Sequence, residues 1–201
     1  KKDPPLMEDE AQTTIRPPAA AGRFYPGEAA ALRQDINGYL QAAGDKERAL
    51  SDRRIKALMV PHAGYSFSGP VAAQAYYLLE KQTPDTVIIL SNAHSVPFAG
   101  IALDGHDAWE TPLGKVGLNK GMREKLLDSL DQAAINSRVH AADHTLEVQL
   151  PFLQTVLKND FQILPILFGT DSRELEPELA RALERLTGSR DLVVASTDMS
   201  H

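Results

Sequence analysis

Short apolar runs alternate with stretches of helical periodicity along most of this chain. Ile55–Val60, Thr86–Leu90 and Asp191–Ala195 are brief and rich in Val, Ile or Leu. That is the pattern of strands buried on both faces of a parallel sheet. Phe98–Leu103 and Phe161–Phe168 read as further strands. Between them lie helical patterns: Glu28–Ala43, with Ala31, Leu32, Ile36, Tyr39 and Leu40 at helical spacing, then Val71–Lys81, Leu118–Leu130, Thr145–Leu157 and Ser172–Leu186, the last closed by Gly188. Pro61–Gly69, with its glycines and serines, reads as a loop, and Thr111-Pro112-Leu113-Gly114 as a turn. Strands alternating with helices predict an α/β layered domain, with a largely parallel or mixed sheet flanked by helices.

Three histidines stand just beyond three of the apolar runs: His62, His94 and His201. Ligands of open α/β sheets bind outside the carboxyl ends of the strands, so these imidazoles are expected to converge. Imidazole is both a common metal ligand and the usual acid/base near neutral pH. In Pro61–Gly69, His62 is followed by Tyr65 and Ser68 on a glycine-containing segment that a substrate can approach; the plainer reading is a loop histidine bonded to nearby carbonyls. His94 sits in Ser91-Asn92-Ala93-His94-Ser95, and two histidines at equivalent strand ends reinforce each other.

The segment His140-Ala141-Ala142-Asp143-His144-Thr145-Leu146-Glu147 carries a third cluster. A continuous helix would put His140 and His144 on one face, and His144 with Glu147. The histidine spacing matches that of zinc proteases, but Ala141 stands where their glutamate belongs. Asp143 as a helix N-cap is the simpler account, with Glu147 favourable to the helix dipole and His144 pointing into the site. His144 and Glu147 are thus candidates to contact substrate or to support the residues that do. Asp198 and His201, three apart beyond the last strand, suit a ligand pair, a carboxylate-oriented acid/base, or a simple Asx turn. Nucleophilic serine catalysis is disfavoured, since no G-x-S-x-G elbow occurs. His106, in a polar loop, reads as a surface histidine.

Composition narrows the function classes. The 201 residues carry a net charge of −6 and no basic stripe, which argues against nucleic acid as a partner. There is no cysteine, so disulfides and thiolate ligands are excluded within these residues. No apolar run approaches the roughly 20 residues needed to span a bilayer. Residues 1–15 are polar and acidic and read as a disordered tail, followed by one domain over residues 16–201. A cytoplasmic location is expected, although a chain opening on Lys1 is also compatible with a removed export signal.

Several motifs then act together. Arg16-Pro17, Ala21-Gly22-Arg23-Phe24-Tyr25-Pro26, Pro61-His62-Ala63-Gly64-Tyr65, Ser68-Gly69, Thr111-Pro112-Leu113-Gly114, His144 with Glu147, and the Ser196–His201 segment resemble the Memo family. Its bacterial members are called AmmeMemoRadiSam system protein B. The resemblance implies a fold like that of class III extradiol ring-cleaving dioxygenases, with a metal site at the strand ends. It implies His62 and His94 as metal ligands, His201 as a catalytic acid/base with Asp198 beside it, and a divalent metal, Fe(II) first, with copper or zinc also suited. Where the family usually shows Gly-Pro-Ser-His-His, this chain has Ser91-Asn92-Ala93-His94-Ser95. The family's remaining ligand would lie beyond residue 201, so the C-terminal part of the domain is expected to be missing. The resemblance further implies a small-molecule or peptide ligand and a radical-SAM protein and a protein A as system partners. Three activities stay open: a non-haem iron dioxygenase-like oxidoreductase, a peptide-binding adaptor, and a metal-dependent hydrolase.

Overall fold

The computed structural model describes residues 13–44, 54–170 and 173–199, so His201 and residues 1–12 of the expected tail lie outside the described residues. In chain order the elements are β1 (Ile15–Arg16), α1 (Ala29–Gly44), β2 (Ala57–Val60), α2 (Tyr65–Tyr77), β3 (Thr86–Asn92), β4 (Ile101–Leu103), β5 (Ala108–Thr111), β6 (Gly114–Gly117), α3 (Lys120–Ser129), β7 (Ala133–Ile135), α4 (Ser137–Ala142), α5 (Leu150–Val156), β8 (Gln162–Phe168), α6 (Glu176–Leu186) and β9 (Asp191–Ser196). Single 3-10 turns, Glu147–Gln149 and Arg173–Leu175, lead into α5 and α6.

The main sheet has six strands in the order β2-β9-β3-β8-β4-β7. β2, β9, β3 and β8 run parallel, β4 is antiparallel to β8, and β7 is parallel to β4. The sheet is therefore mixed and largely parallel. A three-stranded sheet, β1-β5-β6, packs beside it. Apolar residues cover both faces of the main sheet. On one side Val87, Ile89 and Val194 pack with Leu32, Ile36, Tyr76 and Phe152 from α1, α2 and α5. On the other, Ile88, Leu164 and Ile166 pack with Leu126 of α3 and Leu179 and Leu183 of α6. β3 and β8 are continuous apolar runs because both of their faces are covered, whereas β2, expected to be buried likewise, is an edge strand with Ala57 and Met59 exposed on one face.

Strands β1, β5, β6 and β7 were not anticipated, the helix expected over Thr145–Leu157 is a 3-10 turn followed by the shorter α5, and two further segments depart from the sequence reading. The segment expected as a loop through Gly69 is already helical from Tyr65. Pro70 deprives the Ser66 carbonyl of its helical partner, but Ser66 is exposed and water can take its place. Buried Tyr65 anchors this first turn, stacking at a tilt on Phe152 with centroids 5.0 Å apart. Second, the helix that would have aligned His140 with His144 ends at Asp143, whose backbone is extended (φ −97°, ψ 137°). The two imidazoles point to different places as a result. Thr14 and Ile15, read as part of the tail, are also tied into the fold: the Thr14 amide donates to Asp107 at 2.6 Å and Ile15 lies in β1.

The loop carrying His94 is clamped at its far end by backbone contacts. The Ala93 amide donates to Phe168 O at 2.9 Å, Thr170 N to Phe98 O at 2.9 Å and Gly169 N to Gly100 O at 2.9 Å. A Cβ at Gly169 would stand 2.1 Å from the Phe98 carbonyl oxygen. Backbone cannot yield that far without moving the loop. Gly169→Ala is accordingly expected to lose about 1–3 kcal/mol of stability through overpacking. A urea midpoint unchanged from the parent protein would refute this.

Candidate functional site

Parallel pairing of β2, β9 and β3 puts the carboxyl ends of three neighbouring strands on one edge of the sheet. His62 follows β2 by two residues, His94 follows β3 by two, and Asp198 follows β9 by two. The His62 and His94 rings meet edge to face with centroids 4.8 Å apart. His144, arriving from the turn after α4, completes a triangle at 5.8 Å from each. His62 is buried, His144 half-buried and His94 exposed, so the cluster opens to solvent on the His94 side.

Each ring is held by identifiable groups. His94 Nδ1 lies 2.9 Å from the Asn92 carbonyl, which can only accept, so that nitrogen carries a proton. The His94 amide donates to Asp143 Oδ2 at 2.8 Å. The other Asp143 oxygen accepts from the Thr145 amide and hydroxyl at 2.8 and 2.5 Å. Burial opposes the charge on Asp143, but the bonds from Thr145 and the His94 amide outweigh it and hold its carboxyl below the ordinary range. His144 stacks on Phe24 with centroids 3.9 Å apart. Burial lowers the His144 pKa, and neighbouring His94 lowers it further, against the pull of Asp143, Asp198 and Glu147. The imidazole therefore stays neutral at pH 7.

Asp198 ties two strand ends together. Its Oδ1 accepts from the His62 and Ala63 amides at 2.6 and 3.2 Å, and its Oδ2 stands 3.7 Å from His62 Nε2. His62 Nδ1 lies 3.1 Å from Ser196 Oγ. Of the residues anticipated at the site, His62, His94, His144 and Asp198 come together.

The others face elsewhere. The Tyr65 hydroxyl donates to Val148 O at 2.7 Å and Ser68 Oγ to Ala63 O at 2.7 Å, shaping the loop under His62. Glu147 is fully buried: its oxygens accept from Arg16 Nη1 at 2.5 Å, from the Ala19 and Ala20 amides at 2.8 Å and from the Tyr25 hydroxyl at 2.6 Å. His106 is partly buried, with Nδ1 2.8 Å from Asp104. Asp143, expected only as a helix cap, supports the cluster, as do Ser196 and Gln149, which were not singled out. Asp143-His144-Thr145 does carry the signal of an Asx turn, and only the fold reveals that its second oxygen reaches the His94 amide.

Among the described residues, no group of three or more His, Asp or Glu has the arrangement of a formed metal site. The donor chemistry suits part of one. Two imidazoles, at the ends of the two strands that flank β9, have their Nδ1 sides engaged by oxygen, the arrangement that orients metal-binding histidines. Among the described residues no helix is long and apolar enough to cross a membrane.

Comparison with known proteins places these features in a family. The profile of the Memo-like protein family matches residues 16–201. A MEMO1 family protein of Nitrosopumilus maritimus is 34% identical over 189 residues, covering 93% of this chain and 69% of the relative. One from Sulfolobus acidocaldarius is 36% identical, covering 93% of this chain and 70% of the relative. One from Aquifex aeolicus is 37% identical, with 93% and 67% covered. Matches of this extent establish that the chain belongs to the Memo-like protein family.

Proposed function

We propose that the strand-end cleft holds a divalent metal, Fe(II) first, through His62 and His94, and that the protein is an oxidoreductase related in fold to class III extradiol dioxygenases. The approach of the two rings to 4.8 Å at the ends of parallel strands carries this reading. Bound Fe(II) would supply open coordination positions at which dioxygen and a substrate can meet. The chain's own residues do the rest. Phe24 holds the His144 ring against the cleft, where its neutral imidazole can accept a proton from a substrate hydroxyl. Asp198 fixes the His62 loop through two amides and presents its second oxygen to the ring. His201 remains the proposed acid/base partner of Asp198 on the strength of the family resemblance.

Protein purified without oxygen is expected to contain near-stoichiometric iron, lost in the His62→Ala/His94→Ala double variant. Metal analysis that finds none in the full-length protein would sink both the oxidoreductase and the hydrolase readings. Iron without oxygen uptake across a panel of catechols would turn the assignment toward hydrolysis by a bound water.

One observation favours a second reading, a peptide-binding module. Phe67, one turn after His62, is 83% exposed, and Met199, next to Asp198, is 78% exposed. Exposed apolar side chains beside a cleft suit a peptide's apolar anchors. Metal-free protein with intact stability would support that alternative.

A further inference from the structure

Ser196 Oγ is the centre of a three-bond arrangement whose protons can be placed one by one. It lies 2.6 Å from Thr145 O, 2.8 Å from Gln149 Nε2 and 3.1 Å from His62 Nδ1. The Gln149 amide is oriented by its other contacts. The atom 3.0 Å from the Pro61 carbonyl must be the NH2 group, and the amide oxygen then accepts from the Tyr76 hydroxyl at 2.8 Å. One Gln149 hydrogen therefore goes to Pro61 and the other to Ser196. The Thr145 carbonyl can only accept, so it takes the single hydroxyl proton of Ser196. Both lone pairs of Ser196 remain as acceptors, one for Gln149 and one for His62. The proton between Ser196 and His62 must then come from the ring.

We propose that Ser196 and Gln149 are positioning residues that lock His62 into the tautomer protonated on Nδ1, leaving the Nε2 lone pair as the one offered to a metal. The bonds around Ser196 place a proton on Nδ1, so the neutral ring is this tautomer, with the Asp198 oxygen 3.7 Å from Nε2 too far for a hydrogen bond; its use for metal binding rests on the reading proposed above. The device is internal and rigid. Gln149 and Ser196 are 1% and 2% exposed, and Tyr76 is fully buried. Water cannot substitute for any member, and a hydroxyl rotated toward His62 would leave the buried Thr145 carbonyl without its donor. The chain also uses two unlike solutions for its two strand-end histidines. His94 is set by its own loop carbonyl at Asn92, whereas His62 is set by groups from β9 and from the turn before α5.

Long-range proton–nitrogen correlation spectra of metal-free protein carrying nitrogen-15 histidine read the tautomer directly. Neutral His62 is expected to show a protonated Nδ1 and an unprotonated Nε2. Ser196→Ala should release the ring toward the Nε2-protonated form preferred by free imidazole. Anaerobic Fe(II) titration of that variant should show affinity reduced about 10- to 100-fold, the usual cost of removing a hydrogen-bond partner behind a ligating histidine. Ser196→Thr, which keeps the hydroxyl, should restore both. A proton on Nε2 in the parent protein, or an unchanged tautomer in Ser196→Ala, overturns the proposal. If Ser196→Ala does not fold, the parent and Ser196→Thr spectra still decide. Parent protein with the expected tautomer but no Fe(II) binding upholds the lock and rejects the metal reading.

Discussion

Arg16→Met is expected to destabilise the protein by about 3–5 kcal/mol, because it strands a buried carboxylate. Arg16 and Glu147 are both fully buried, with Nη1 and Oε2 2.5 Å apart. The guanidinium also lies over Trp109, 4.1 Å from the ring centroid. Its Nε and Nη2 donate to the carbonyls of His140 and Asp143, each at 2.8 Å. Methionine would fill much of the volume and satisfy none of these acceptors. Lysine would keep the charge but could not serve acceptors in three directions. Urea unfolding should show the loss as a lower midpoint with an unchanged slope. Arg16→Met/Glu147→Gln should lose less than the sum of the two single variants, since removing both charges leaves no unpaired ion. Additive losses would refute the coupling. The effect should reach the cleft as well: Arg16 holds the Asp143 backbone, and Asp143 holds the His94 amide.

The parts of the fold that were legible are those where one local pattern determines one outcome. Thr86–Leu90 reads as a buried strand because every residue is apolar or β-branched, and it lies within β3 with both sheet faces covered. Helix α6 follows from its alternating charged and apolar positions, with buried Leu179, Ala182 and Leu183. The placement of His62 and His94 beyond parallel strands of one sheet was legible for the same reason. Strand ends are set by local sequence, and parallel pairing does the rest.

What could not be read depends on partners far apart in sequence. Nothing local distinguishes Ser196 from any serine closing a strand, yet its neighbours come from residues 62, 145 and 149. Glu147 sits three residues from His144 and invited a role beside it. Arg16, 131 positions away, claims its carboxylate instead. Of the two readings open for His140 to His144, the continuous helix is not formed, and the break at Asp143 is. Asp143 leaves the helix so that its side chain can accept from His94 and Thr145.

His140, turned away from the cluster by that break, makes the fold sensitive to acid. The ring is fully buried, and Nε2 lies 3.0 Å from the Ala102 carbonyl, which places the proton on Nε2. The buried Nδ1 has no hydrogen-bond partner among the described residues, so a second proton would be added at a buried site beside Trp109 with no acceptor for it. Burial lowers the pKa to about 4, outweighing the favourable charge of Asp104. Above pH 6.5 or so the ring is neutral in both folded and unfolded chains and does not affect stability. As the pH falls from there toward 4, the unfolded chain takes up a proton that the folded one refuses. Stability then declines by up to about 1.4 kcal/mol per pH unit. The loss levels off below pH 4 at about 3 kcal/mol, once both states are protonated. His140→Gln, whose amide can still donate to Ala102, should flatten the unfolding free energy between pH 6.5 and 4 relative to the parent. Parallel pH profiles for the two proteins would show that the acid sensitivity comes from other groups.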